Sequence, residues 1–368
     1  VSHTDAFPQA RHQERLEKLR HALRQEGLDA FLAADTANVT YLSGFTGDSA
    51  HLLVTRDHAW LITDGRYTEQ AAAEAPHCEV VQHKVSLITS DAELANGAGV
   101  KALGFESNVL TVAAHAGLMK ELKGVEAVAK KGLVEKLRQV KDAEELQRIR
   151  HAAEAADGAF RLVRQRLTPG LTEAEVANEL EYAMRRLGAR RAAFDAIIAA
   201  GPRSSLPHAR ATDTPIEPGS PVLVDWGAER GLYCSDCTRM LFLAPPDARW
   251  REVYEIVRQA QALALAAIRP GVSCREVDAA ARRHIEDAGH KDDFKHGLGH
   301  GVGLRVHEGP ALSTKSEDTL AEGMVVTVEP AIYLAGWGGV RIEDLAIVRT
   351  DGPEVLTTLP KELEAAIL

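Results

Sequence analysis

Four carboxylates stand at spacings that suggest shared chemistry. Asp225 closes the apolar run Val222–Asp225, and Asp236 follows within Tyr233-Cys-Ser-Asp-Cys-Thr238. A turn around Glu229-Arg-Gly231 would fold the second segment back and set the two acids side by side. Glu329 closes another apolar run, and Glu343 follows the turn Gly336-Trp-Gly-Gly339. An apolar strand ending in a solvated acid is common, but two carboxylates forced together repel. One must hold a proton, or a cation must lie between them. Arg341 precedes Glu343 by two positions, so on a strand the two share a face. If all four acids meet, their charge matches two divalent cations.

Histidines extend the set. His296-Gly-Leu-Gly-His300-Gly-Val-Gly-Leu-Arg-Val-His307 interleaves three histidines with glycines, which let backbone approach closely. A phosphate loop is excluded, because no Lys-Ser/Thr follows and Leu304-Arg-Val-His307 is strand-like. His208, in Ser204-Ser-Leu-Pro-His208, lies 99 positions before His307. The two are candidates for a facing pair.

An internal repeat would position these groups. Pro169-Gly-Leu-Thr-Glu-Ala-Glu-Val176 matches Pro270-Gly-Val-Ser-Cys-Arg-Glu-Val277 at an offset of 101. Each copy is a turn followed by a capping box, Thr172 with Glu175 and Ser273 with Glu276. Both predicted helices stop at glycine, Gly188 and Gly289. Gly219-Ser-Pro-Val-Leu-Val-Asp225 then matches Gly323-Met-Val-Val-Thr-Val-Glu329 at an offset of 104. Matches in the same order at nearly constant offset favour duplication over chance, with two acids in each α+β half.

Ahead of the repeat, Asp142 and Glu145 cap a predicted long helix with one apolar stripe: Leu146, Ile149, Ala153, Ala156, Phe160, Val163 and Leu167. Pro169-Gly170 is expected to end it. The N-terminal third is predicted as α/β. It has a helix over 13–25, strands at 30–33, 51–55, 60–63, 80–82 and 102–105, and a helix over 66–74. Gly44-Phe-Thr-Gly47 is expected as a loop between the first two strands. The boundary between an N-terminal domain (1–135) and a C-terminal domain (136–368) is placed near residue 135.

Composition narrows the setting. The 368 residues carry 43 Lys+Arg against 53 Asp+Glu, a net charge of −10 that disfavours broad nucleic-acid or anionic-membrane binding. The longest apolar run, Ala262–Ile268, is far short of a membrane span. No apolar signal segment stands in the first thirty residues, and four cysteines are too few for a disulfide framework, so a cytoplasmic setting is expected. Cys234-x-x-Cys237 lacks a second pair and encloses Asp236, so it is read as incidental. Arg185, Arg186, Arg190 and Arg191 sit near a helix C-terminus, where cations offset the dipole.

Together, Asp225-x-Gly227, Asp236-x-Thr238-Arg239, His296-Gly-Leu-Gly-His300, His307, Glu329-Pro330 and Arg341-x-Glu343 resemble the two-metal pita-bread peptidases, the group of prolidase, aminopeptidase P and methionine aminopeptidase. The resemblance spans about residues 140–350. Gly44-Phe-Thr-Gly47 and Ile62-Thr-Asp-Gly-Arg-Tyr67 are similar to the extra N-terminal domain of the proline-specific branch, which methionine aminopeptidase lacks.

The resemblance implies an α+β fold: a duplicated pita-bread (creatinase/aminopeptidase-like) domain preceded by a smaller α/β creatinase-type domain for substrate access and dimerisation. It implies that Asp225, Asp236, His300, Glu329 and Glu343 hold two divalent ions. Asp225 and Asp236 would lie toward one metal, Asp236 and Glu343 would bridge both, and His300 and Glu329 would complete the other. Four carboxylates and one imidazole favour Mn²⁺, with Co²⁺, Zn²⁺ or Fe²⁺ alternatives. An activated water would attack the carbonyl before proline. Glu329 would move its proton, His208 and His307 would polarise the carbonyl, and Arg341 would orient Glu343 or another carboxylate. His296 would support the substrate rim.

The expected substrates are small X-Pro peptides, cleaved by a prolidase or, alternatively, by an aminopeptidase P acting on longer peptides. The filled ligand positions weigh against an inactive binding protein of the same fold. A homodimer is expected, as is common in the family. Arg305 departs from the acid that prolidases commonly carry there. On a strand it would share His307's face and could bind a dipeptide carboxylate, or it could simply reach solvent.

Overall fold

Short apolar runs in the first third of the chain alternate with helix caps, and a computed structural model describing residues 9–368 folds them into one six-stranded sheet. In chain order the elements are α1 (Gln9–Gln25), β1 (Ala30–Ala33), α2 (Thr36–Ser43), β2 (Ala50–Thr55), β3 (Ala59–Thr63) and α3 (Thr68–Glu74). They continue as β4 (Glu79–Gln82), α4 (Leu87–Gly97), β5 (Ala102–Glu106), α5 (Val112–Glu121), β6 (Glu126–Lys130) and α6 (Leu133–Gln139). The strand order is β4-β3-β2-β1-β5-β6. β2 runs antiparallel to both neighbours and the remaining pairs are parallel. The five strands expected from sequence are β1 to β5.

The predicted loop Gly44-Phe-Thr-Gly47 forms, and ahead of it the connection from β1 to β2 holds a helix, α2, that is not expected from the sequence. Asp35 caps it by accepting from the Ala37 and Asn38 amides at 2.9 and 3.2 Å, and Gly44 ends it at φ 80°. Val39, Thr40 and Tyr41 favour strands, which hides the helix from a propensity reading.

The chain divides into two compact units after Arg138. The second unit begins with α7 (Ala143–Arg164) and α8 (Glu173–Arg186). Then come β7 (Arg191–Ala192), β8 (Ile197–Ala200), β9 (Pro221–Trp226), β10 (Ala228–Arg230), β11 (Tyr233–Cys234) and β12 (Cys237–Phe242). The plan then repeats with α9 (Ala248–Ala267), α10 (Cys274–Asp287), β13 (Gly299–Gly301), β14 (Glu308–Leu312), β15 (Val325–Val328), β16 (Ala331–Leu334), β17 (Gly338–Arg341) and β18 (Asp344–Ile347). β19 (Glu354–Val355) and α11 (Leu363–Ala366) close the chain.

The predicted capping box of α7 forms, and its whole apolar stripe is buried. Phe160 on that stripe stacks on Trp226 with ring centroids 4.4 Å apart, and the indole N–H donates to Ala156 O at 2.9 Å. The stripe thereby fixes the strand that carries Asp225. The helix stops at Arg164, short of Pro169, and Leu167 is buried in the turn beyond.

Both halves reuse the same local geometry. Each shows its capping box at the start of α8 or α10. Gly170 and Gly271 have φ of 92° and 87°, and Gly219 and Gly323 have 78° and 85°. Gly170 N–H donates to Ile216 O at 2.9 Å, and Gly271 N–H donates to Leu320 O at 2.8 Å. Left-handed backbone costs an L-residue about 1–2 kcal/mol. Gly219→Ala should therefore cost about that much, since its added carbon meets only Ala244 Cβ at 3.8 Å. Gly323→Ala should cost about 1–3 kcal/mol more, because the added carbon comes within 2.9 Å of Lys141 O. Urea unfolding of the two variants tests this; equal losses would mean that the turn before β15 yields freely.

Candidate metal centre

Two strand pairs deliver the acids. β9 runs antiparallel to β12 with Asp225 opposite Thr238, and Asp236 immediately precedes β12. The turn between them is Gly231-Leu232, with φ of 57° and 72°, a tight reversal that returns the chain beside β9. β15 runs antiparallel to β18 with Val328 opposite Asp344, so Glu329 and Glu343 lie just beyond the paired ends. Asp236, His300 and Glu343 offer ligand atoms within 4.8 Å of one another. Glu329 Oε1 is 3.3 Å from His300 Nε2, and Asp236 Oδ2 is 3.6 Å from it.

His300 is held by backbone on both sides. Side chains at Gly299 and Gly301 would collide with the carbonyls of Thr327 and Gly309, so the flanking glycines are needed for close approach. The Thr327 hydroxyl accepts from His300 N–H at 3.0 Å and donates to Glu329 Oε1 at 3.1 Å. His300 Nδ1 donates to Gly301 O at 3.1 Å, which leaves Nε2 as a lone pair.

Arg341 ties the two halves together. Its guanidinium donates to Asp225 Oδ2 at 2.5 Å, to Thr238 Oγ1 at 3.0 Å and to the Tyr333 hydroxyl at 2.6 Å. Thr238 in turn donates to Glu343 Oε2 at 2.7 Å. Arg341 thus contacts Asp225 directly and reaches Glu343 through Thr238. His296 Nδ1 donates to Gly297 O at 2.7 Å, and its Nε2 accepts from Tyr333 at 3.2 Å, so both ring nitrogens are engaged. Sequence reasoning missed Tyr333 and Thr327, and it quoted Thr238 without a role. Hydroxyls that serve other polar groups leave no spacing signature.

The electrostatics ask for cations. Burial pushes the Asp236 carboxyl well above its ordinary value, and the neighbouring Glu343, Asp225 and Glu329 push it further. Burial, with Glu329 and Asp225 nearby, pushes Glu343 well up. Asp225 is also raised by burial despite the Arg341 guanidinium, and its buried Oδ1 has no hydrogen-bond partner. Burial lowers His300, favouring neutral imidazole. A neutral nitrogen lone pair facing two carboxylates is unfavourable unless something positive lies between them. The donor set therefore fits divalent cations, with oxygen predominating.

A cavity of about 840 Å³ opens over this cluster; His208, His296 and His307 line it, as do Asp195 and Arg210. The His307 ring lies 4.3 Å from the His300 ring. Arg305 is not among the lining residues. The predicted strand at 304–307 is a run of bends between β13 and β14, so the two-residue spacing does not put Arg305 and His307 on one face. Two of the four clustered arginines lie as expected for a helix end. Arg185 and Arg186 lie in the last turn of α8, while Arg190 and Arg191 pair with Glu229 at 3.2 and 2.6 Å. Cys234 and Cys237 are buried free thiols. Among the described residues, no helix is long and apolar enough to cross a membrane.

Comparison with known proteins agrees with this geometry. Residues 147–350 match the model for Metallopeptidase family M24, and residues 15–140 match the Creatinase/Prolidase N-terminal domain. The chain is 44% identical over 349 residues to the "Uncharacterized peptidase YqhT" of Bacillus subtilis strain 168, covering 95% of this chain and 99% of that one. The solved Xaa-Pro dipeptidase from Bacillus anthracis superposes with a TM-score of 0.94 at 41% identity, over 97% of this chain and 100% of the other. The X-Pro aminopeptidase from Thermotoga maritima MSB8 gives a TM-score of 0.85 at 38% identity, over 93% and 99%. With its duplicated pita-bread unit behind a creatinase-type N-terminal domain, the chain is an enzyme that belongs to metallopeptidase family M24.

Proposed function

We propose that the protein is a prolidase, hydrolysing X-Pro dipeptides with two divalent cations, most readily Mn²⁺, held by Asp225, Asp236, His300, Glu329 and Glu343. The observation that carries this reading is the buried convergence of carboxylates on the His300 Nε2 lone pair, with Asp225 Oδ1 unpartnered beside them. When bound, such cations neutralise the cluster, polarise a carbonyl and lower the pKa of water.

The chain's own groups supply the rest. Burial raises the Glu329 carboxyl, against the pull of His296 and Arg341, so it is suited to hold a proton in transit from attacking water to leaving nitrogen. Thr327 fixes one oxygen of that carboxylate, so the proton is carried at a defined place. His208 and His307 face the cavity as donors to the scissile carbonyl and to the oxyanion that forms from it. An X-Pro bond is a tertiary amide without N–H. A site that grips the carbonyl and the charged ends, rather than an amide hydrogen, suits it.

A second reading, aminopeptidase P activity on longer peptides, is favoured by the cavity's size, which lies toward the upper end of the ~300–1,000 Å³ range of small-molecule sites. Hydrolysis of Leu-Pro and of Ala-Pro-Ala with added Mn²⁺, Co²⁺ or Zn²⁺ separates the two. Cleavage of the dipeptide alone supports prolidase, cleavage of the tripeptide supports the second reading, and cleavage of neither rejects both.

Loading should also compete with protons. Asp236 and Glu343 have raised pKa values, so metal-free protein holds protons there that the unfolded chain releases above its ordinary carboxyl pKa of about 4. That contribution to stability is present at low pH and is lost as pH rises through the folded values. Metal should reverse the trend, binding tighter as pH rises and releasing protons on binding. Calorimetry in buffers of different ionisation enthalpy measures the release; zero protons released at pH 6 would contradict it.

A further inference from the structure

Building on the dipeptidase reading, we propose that Arg210 recognises the α-carboxylate of the dipeptide and so sets the preference for free dipeptides. Because the X-Pro bond offers no N–H, a dipeptide is distinguished from a longer chain mainly by the charge at its C-terminal end. A cation with donors to spare is needed for that, and the cavity lining supplies few.

Arg341 is spent. Its guanidinium donates to Asp225, Thr238, Tyr333 and Pro207 O. Arg305 lies outside the lining. Arg210 lines the cavity and is exposed, and within the protein its guanidinium makes no hydrogen bond or ion pair among the described residues. Ala209 is buried between His208 and Arg210, both of them exposed, and all three line the cavity.

The backbone around Arg210 is fixed in advance. Its carbonyl accepts from Arg203 Nη2 at 2.7 Å, and Arg203 Nε donates to the fully buried carboxylate of Glu173 at 2.9 Å. The same carboxylate accepts from Thr212 N–H at 3.1 Å and from Ala200 N–H at 2.9 Å. A buried acid thus anchors the segment on both sides of Arg210 while leaving its guanidinium for a ligand. A planar fork of donors held this way matches a carboxylate. Asp195, an exposed acid on the same lining, is the group that would compete for it.

The test compares metal-loaded, full-length wild type with Arg210→Ala and Arg210→Lys on Leu-Pro and Leu-Pro-amide. Wild type should prefer the free acid about 10- to 100-fold in kcat/KM, expressed mainly in KM, the range expected for one charge-assisted hydrogen-bonded contact. In Arg210→Ala the preference should collapse to near unity, and Arg210→Lys should restore part of it. An Arg210→Ala protein that keeps the wild-type preference, or a wild type that shows none, overturns the assignment while leaving prolidase activity standing. A wild type that cleaves no X-Pro substrate instead overturns the reading beneath it.

Discussion

Asp236→Asn protein is expected to fold, to bind less than its full complement of metal, and to hydrolyse Leu-Pro at least about 10³-fold more slowly. The magnitude follows from several kcal/mol of transition-state stabilisation by bound metal, each 1.36 kcal/mol being tenfold in rate. Asn keeps the shape of the acid but lacks its charge, and this position belongs to the trio of ligand atoms within 4.8 Å. Folding should survive, because burial and three nearby carboxylates already drive Asp236 toward its protonated, neutral form without metal. The metal-free variant should therefore melt no lower than metal-free wild type, and higher as pH rises, since the wild type loses stability there and Asn cannot ionise. Metal content by elemental analysis, calorimetric melting with and without chelator, and the dipeptide rate check the three parts. A variant with full metal and full rate removes Asp236 from the centre.

What the sequence revealed here was whatever repeats or ionises. The paired turns at Gly170 and Gly271 and the capping boxes at Thr172 and Ser273 appear in the fold as expected, because a left-handed φ and an N-cap each demand a narrow set of residues at a fixed place. The convergence of the four acids was legible for a related reason: strand ends and a tight reversal leave little choice about where they meet, whereas His300 was singled out by the family resemblance. The surroundings were not legible. The helix α2 is written in strand-favouring residues and held by Asp35 and Gly44 at its ends. The bends that carry Arg305 alternate like a strand but follow the backbone of a glycine-rich segment. Tyr333 reaches both Arg341 and His296, and Thr327 reaches both His300 and Glu329, across separations fixed only by tertiary packing.

The clearest case is Arg239, which stands in the motif Asp236-x-Thr238-Arg239 without any role that spacing could assign. It is buried, and one nitrogen donates to Thr238 O at 2.9 Å and to Glu343 O at 2.5 Å, clamping the backbone behind two residues of the site. A second nitrogen donates to Asp344 Oδ1 at 2.7 Å and to Leu359 O at 2.9 Å. Asp344 also accepts from Thr357 at 2.6 Å, from Gln261 at 2.7 Å and from Lys361. Burial alone would raise this carboxyl, but Arg239 and Lys361 outweigh it and hold it at about 2. The stability it contributes is therefore complete above the ordinary carboxyl pKa of about 4 and lost as pH falls toward 2.

Arg239→Met should cost about 3–5 kcal/mol of stability, the scale for breaking a buried ion pair, because three carbonyls (of Thr238, Glu343 and Leu359) lose a donor and Asp344 loses a cation. The cost should not run higher, since Lys361, Gln261 and Thr357 still serve Asp344. Metal affinity should fall about 10- to 100-fold with it, as for the loss of a residue that orients a ligand. Arg239→Lys should recover part of the stability by keeping the charge, yet less of the affinity, because a single ammonium cannot serve the Thr238 and Glu343 carbonyls and the Asp344–Leu359 side at once, as the two ends of the planar fork do. Lys361→Met should cost less than Arg239→Met, as its side chain is 27% exposed and its absence leaves the clamp in place. Urea unfolding and metal titration of the three variants separate these terms. If Arg239→Met weakens folding but binds metal as wild type does, Arg239 only holds the core together and Glu343 is positioned by Thr238 alone.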